Sequence, residues 1–269
     1  MRDYYQTAKE EERRRRRRRV RLYIVTLFLI GLCVGGIFFI RSSFFSVHTI
    51  LVNNSESSLA QKIESSFVNI LNNQNSFLEK IFGKNNILVS IFKRESVVKE
   101  VMVQNPAVKR FSLNANILKN FIDLRFEERE QFGLWCTPKE GGEICWWFDK
   151  EGVLFSQGPQ TTGTLINKVT DLSGHPLSLG ETVFDDTRYQ ETLVKIFSFL
   201  SQSGTNINHI ILKNRALAEV ETSHPTYPTI YFSLRVDPFF ALQPIRELEK
   251  KFDSLEYIDL RVKNRVYYK

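Results

Sequence analysis

Leu22-Tyr-Ile-Val-Thr-Leu-Phe-Leu-Ile-Gly-Leu-Cys-Val-Gly-Gly-Ile-Phe-Phe-Ile40 is a run of 19 residues without one charged side chain. At about 1.5 Å of rise per residue, such a run approaches the roughly 30 Å hydrocarbon core of a bilayer. Gly31, Gly35 and Gly36 would weaken a helix in water, but in lipid the backbone has no competing partner. A cleaved leader has a shorter apolar stretch and a small-x-small cleavage site. Here Arg41-Ser-Ser-Phe-Phe follows instead, so the run reads as a retained transmembrane helix over 21–41, embedded in membrane lipid.

Charge sets the expected orientation. Arg13 to Arg19 and Arg21 precede the span, and Arg41 alone lies just beyond it. Because Lys and Arg stay on the cytoplasmic side, residues 1–20 are expected inside and the remainder outside, a single pass with a cytoplasmic N-terminus. A dense positive block can also bind nucleic acid. Its place directly against a span fits a topology signal touching anionic lipid better, so nucleic acid is not expected as a partner.

The whole chain carries 37 Lys+Arg and 30 Asp+Glu; residues 1–41 hold 11 and 4 of these, leaving 26 of each for residues 42–269. The positive excess thus belongs to the tail and anchor, and the exported part need not meet a polyanion. Its length allows two modest domains, and its Phe-rich apolar content supports burial without staples. Cys136 and Cys145 flank Thr-Pro-Lys-Glu-Gly-Gly-Glu-Ile, a turn-forming segment between aromatic-rich runs. A hairpin there would bring the two cysteines opposite one another, and an oxidising compartment favours a disulfide. The alternatives are two free thiols, or a metal site that no nearby His or further Cys completes.

Beyond the span, Phe45 to Asn54 reads as a strand and turn. Leu59, Ile63, Phe67, Ile70 and Leu71 recur at helical spacing behind a cap at Ser55 or Ser57. Asn72 to Asn86 reads as a loop with a short helical turn. Ile91, Val97, Val98, Val101 and Met102 outline one more helix, which starts near Val89 and stops at Asn105-Pro106. Val108–Leu113 and Asn120–Glu127 follow as strands, completing a small sheet-and-helix unit over 44–128.

Residues 131–269 are strand-dominated, with helical patterns after Asp185-Asp186 and from Pro238 to Phe252. The last segment, Tyr257 to Lys269, alternates Ile258, Leu260 and Val262 against Asp259, Arg261 and Lys263, as one strand with an uncovered edge would. That edge, around Val262, Lys263, Asn264, Tyr267 and Tyr268, is the expected partner-binding site. The fold class is therefore α+β: a transmembrane helix, a small α/β-sandwich domain, then a β-rich domain with two helices.

Reactive constellations are not evident. His48, His175, His209 and His224 lack ligand spacing, and no G-x-S-x-G, Walker A or S-x-x-K motif occurs. Asp185-Asp186 and Glu127-Glu128 are adjacent acids, better explained as caps or solvated charge. No catalytic residue, cofactor, metal or small-molecule substrate is expected, and a binding or scaffold role is the default. A membrane-anchored envelope enzyme, or a component of an export system, are the alternatives.

Several segments in order carry a resemblance: Phe44-Phe-Ser-Val-His-Thr-Ile; Asn105-Pro-Ala-Val-Lys-Arg-Phe-Ser-Leu with Phe121-Ile-Asp-Leu-Arg-Phe-Glu-Glu-Arg129; Trp147-Phe-Asp-Lys-Glu-Gly-Val-Leu-Phe155; and Tyr257-Ile-Asp-Leu-Arg261. With the anchor, they resemble the bacterial cell-division family FtsQ/DivIB over residues 1–269. The chain departs from that pattern at Asn114-Ala-Asn-Ile, where the family has an Arg and a Pro, in its expanded 72–86 segment, and in its cysteine hairpin. The resemblance implies a POTRA domain over 44–128 and a β domain over 131–269. It also implies a non-enzymatic divisome role at the septum, joining partners of the FtsB/FtsL type to the septal peptidoglycan synthase complex. An unpaired final strand could accept a partner's strand through main-chain hydrogen bonds.

Overall fold

The computed structural model describes residues 2–53, 56–73, 77–83, 86–161, 165–205 and 207–269, with 2–15, 73 and 77–79 described as backbone only. It is a mixed α+β protein with one long N-terminal helix and two sheets. The first helix, α1, runs unbroken over Arg2–Ile40. Its Arg16–Ile40 part is the one segment among the described residues long and apolar enough to cross a membrane, and none of it is buried against protein. The chain divides into two compact units, 1–101 with 111–125, and 102–110 with 126–269.

In the first unit, a single helical turn at Ser43–Phe45 leads into β1 (Thr49–Val52), which is shorter than the strand expected from Phe45. Then α2 (Ser58–Asn73) buries Ala60, Ile63, Phe67 and Ile70 along one stripe. The Oγ of Ser57 accepts from the Ala60 amide at 3.0 Å, so Ser57 is the cap; Ser55 lies outside the described residues. The turn of helix expected within 72–86 is α3 (Phe77–Phe82). The single helix expected from Val89 is instead two, α4 (Ile87–Phe92) and α5 (Arg94–Gln104). Lys93 leaves the helical region at φ −102°, ψ 12°, and lets Val89 face the core with Ile87 on α4 while Val97 and Val101 do so on α5. The helix stops before Pro106 as expected. β2 (Val108–Asn116) and β3 (Phe121–Glu128), of which residues 111–116 and 121–125 fall in this unit, complete a three-stranded sheet in the order β1-β3-β2, with β1 and β3 parallel.

The second unit is built on a nine-stranded sheet. Its strands are β4 (Gly133–Lys139), β5 (Gly142–Phe148), β6 (Leu154–Gln157), β7 (Asn167–Asp171), β8 (His209–Asn214), β9 (Glu219–Thr222), β10 (Thr229–Ser233), β11 (Tyr257–Asp259) and β12 (Tyr267–Tyr268). They lie in the order β12-β11-β10-β9-β8-β7-β4-β5-β6. Two helices interrupt them, α6 (Thr187–Gln202) and α7 (Leu242–Leu248), the latter extended at both ends by tighter turns at Pro238–Ala241 and Glu249–Ser254. The one helix expected over 238–252 is therefore three joined segments. Each helix connects parallel neighbours, β7 to β8 and β10 to β11, because a parallel pair needs a long crossover.

One core fills this unit. Leu193, Ile196, Phe197, Phe199 and Leu200 of α6 meet Trp135, Phe148, Val169, Ile210, Val220, Phe232 and Ile258 on one sheet face. Asp186 caps α6 by accepting from the Arg188 amide at 2.9 Å, which places the acidic pair at a helix start as expected. A buried charged pair borders this core. The Asp171 carboxylate, with a side chain only 1% exposed, accepts from Arg215 Nη2 at 3.0 Å and from the Ser173 amide at 2.9 Å. Arg215 also donates to the Val183 carbonyl at 2.7 Å, and its guanidinium lies over the rings of Trp135 and Phe184.

Candidate functional site

The segment expected to be one last strand is a hairpin. Ile258 and Leu260 are buried as the alternation requires, but Val262 is 47% exposed and ends the pattern. The Arg265 amide donates to the Val262 carbonyl at 3.2 Å, and Asn264 adopts φ 60°, a left-handed conformation that Asn tolerates better than most residues. The reversal sends β12 back antiparallel to β11, with Ile258 opposite Tyr268 and Asp259 opposite Tyr267. Val262, Lys263 and Asn264 thus occupy the turn, not a strand. The physical reason is local: turn formation at Asn264 competes with continued alternation, and pairing of the tyrosines back onto β11 rewards it.

The hairpin lies at one end of the sheet, and among the described residues β12 pairs with β11 alone. It exposes 44% of Tyr267 and 57% of Tyr268, while Val266 between turn and strand packs against the core. Tyr combines large contact area, few rotamers to freeze and a polar tip. Arg265 Nη1 donates to the Tyr267 hydroxyl at 3.1 Å, and Lys269 Nζ pairs with Glu256 at 3.0 Å. The five expected site residues therefore gather on one small feature, although by a turn and not by extension.

Sequence reasoning did not single out Arg261, which ties β11 to β9 across β10. Arg261 donates through Nε and Nη2 to the two Asp259 oxygens at 3.0 and 2.6 Å, and through Nη1 to Glu219 at 2.9 Å. Its guanidinium lies 5.2 Å from the Tyr231 ring centroid. This fork holds the Asp259 carboxyl below its ordinary range despite partial burial, and raises the Arg261 pKa in turn. The spacing of Asp259 and Arg261 on one strand face was a usable signal; Glu219, forty-two residues away, offered none.

Cys136 and Cys145 face each other across β4 and β5, and their sulfurs are bonded at 2.06 Å. They form a small apolar cluster with Leu134, Trp147 and Ile166, separate from the main core. Glu143 beside them pairs with Lys168 at 2.5 Å. Cys136, Glu143 and Cys145 are the one potential metal-ligand group among the described residues. The disulfide occupies both sulfurs, so the trio as it stands has no thiolate to offer. Each histidine has a local setting. His48 contacts the Ser46 carbonyl, His209 Nε2 lies 2.8 Å from Thr170 Oγ1, His224 stacks on Tyr227, and His175 is exposed. Burial pushes the His209 pKa down, with Lys168 adding to the shift.

In comparison with known proteins, the chain matches no family model and no curated protein at significant similarity.

Proposed function

We propose that this chain is a non-enzymatic cell-division scaffold, anchored by α1 with residues 1–20 in the cytoplasm, which binds single-span division partners of the FtsB/FtsL type outside the membrane and links them to septal peptidoglycan synthesis. One observation carries this reading: the terminal hairpin presents an edge strand, β12, with two half-exposed tyrosines and no covering element among the described residues. An edge of that kind suits strand addition, in which main-chain bonds give affinity and alternate side chains give choice of partner. The element order agrees with a POTRA-type domain followed by a β domain, and the arginine imbalance supports the orientation.

The test uses co-expression with the division partners of the host. Val262→Asp with Tyr268→Lys leaves the buried Ile258 and Leu260 and the partly buried Val266 in place, so the fold should persist while partners fail to co-purify. Capture of those partners at unchanged affinity places the docking strand elsewhere. A fluorescent fusion spread evenly around the cell, with none at the septum, would remove the divisome reading altogether.

A further inference from the structure

The end of α1 is knotted directly to the helices that follow. Arg41 Nε donates to the Ile81 carbonyl at 2.9 Å, and its Nη2 donates to that of Lys80. Asn86 Nδ2 donates to the carbonyls of Ile40 at 2.8 Å and Phe82 at 3.0 Å, while its Oδ1 caps α4 by accepting from the Leu88 amide at 3.0 Å. The last turn of the apolar helix, the end of α3 and the start of α4 therefore meet at one residue.

Around that knot the protein shows apolar surface where a water-facing domain would show charge. Helix α4 buries Ile87 and Val89 but leaves Phe92 at 66% and Ile91 at 37% exposure, and Phe82 stacks on Phe92 at 6.1 Å. Phe44 is half exposed, and it and Phe45 pack against Phe39 of the apolar helix at 6.5 and 5.5 Å. The aromatic surface is thus continuous with the surface of α1 that faces lipid if the helix spans. The His48 amide, just before β1, donates to the Asn120 carbonyl at 2.9 Å. This places the β2–β3 turn at the same end of the sheet, and its Leu118 is 86% exposed. Lys80, Arg94 and Arg41 are exposed beside these groups.

We propose that α3, α4 and the β2–β3 turn form a foot that lies in the bilayer interface, with Phe92, Ile91, Phe44 and Leu118 among the acyl chains and Lys80 and Arg94 against lipid phosphates. The inference rests on reading α1 as a spanning helix. Asn86 to Phe92 spans about 9 Å of helix, comparable with the headgroup layer that separates hydrocarbon from water. Exposed apolar patches of this kind mark interaction surfaces, and amphipathic helices with a basic rim settle at membrane interfaces. Lipid is the occupant favoured here because the patch adjoins the span and is hydrogen-bonded to its last turn.

The full chain with Cys33→Ser, its Cys136–Cys145 pair oxidised, would carry one spin label at a time, through Ile30→Cys, Phe92→Cys, Leu118→Cys or Glu56→Cys. Each is placed in nanodiscs of mixed phosphatidylcholine and phosphatidylglycerol. Collision with oxygen, which partitions into lipid, is compared with collision with a water-soluble nickel chelate. Labels at 30, 92 and 118 should lose nickel collisions and gain oxygen collisions relative to 56, which lies past the opposite end of β1. If 30 is shielded while 92 and 118 match 56, the anchor stands and the foot is wrong; a protein partner as the true occupant gives this same result in lipid alone. If 30 is itself open to nickel, the spanning reading fails first.

Discussion

Replacing Arg215 by Met tests the buried charged pair that it forms with Asp171 in the second unit. The methionine keeps much of the side-chain length and can still lie against Trp135 and Phe184, but the Asp171 carboxylate loses the guanidinium at 3.0 Å while remaining 1% exposed. Removing one partner of a buried pair costs about 3–5 kcal/mol. Arg215 is itself 22% exposed and Asp171 keeps its bonds from Ser173, so the lower end, about 3 kcal/mol, is expected. Trp135, Trp146 and Trp147 all lie in this unit, so tryptophan emission during urea unfolding reports on it alone. Asp171→Asn combined with Arg215→Met should recover a coupling of about 1.5 kcal/mol or more, because the stranded charge is gone. A loss below about 1 kcal/mol for Arg215→Met, or strict additivity in the double variant, refutes the reasoning.

Digestion with trypsin without reductant should leave the peptides containing Cys136 and Cys145 joined, since Lys139 lies between them, and reduction should cost about 2–3 kcal/mol of stability through loop-closure entropy. Because burial depresses the His209 pKa, the unfolded chain takes up a proton first as pH falls. Stability is therefore full above the ordinary value of about 6.5 and declines as pH drops through it toward the lower folded value. His209→Gln should flatten that part of a melting-temperature profile against pH. Gly133→Ala should destabilise the second unit by about 1–3 kcal/mol, because the new Cβ would meet the Asn167 carbonyl at 2.7 Å on the neighbouring strand; an unchanged urea midpoint would sink that reading.

Where one physical signal dominated, the sequence was legible. The apolar run over Leu22–Ile40, the helical stripe of α2, the Asp186 cap of α6 and the cysteine hairpin each announced themselves. Strand β7 did not. Its core-facing positions are Val169 and Asp171, and a carboxylate at an inward position reads as a loop until its partner, Arg215, is known from the far side of α6. The division of α4 from α5 was hidden for a related reason: the spacing of Val89, Val97 and Val101 suits one helix, and only packing shows that Lys93 breaks it. At the candidate site the residue types were readable but the geometry was not. Asn264 was visible as a polar residue in an alternating run, yet the energy of its left-handed turn depends on Tyr267 and Tyr268 finding β11 again.

The order of strands in the large sheet carries a consequence in time. From β7 to β12, position along the chain is also position along the sheet, so each strand adds beside one already placed, while β5 and β6 grow from the other side of β4. For a chain that crosses the membrane from its N-terminal end, the sheet can then zip outward as it emerges. Long-range pairings that must wait for a late strand are the slow, aggregation-exposed ones, and here they are few: β4 waits for β7, and little else waits. Among the described strands, the hairpin of β11 and β12 is added after the others. A stalled or partly exported chain would end its sheet at β8, β9 or β10, each presenting different side chains, and the tyrosine-bearing edge would come into existence only after every other strand of the sheet has found its place.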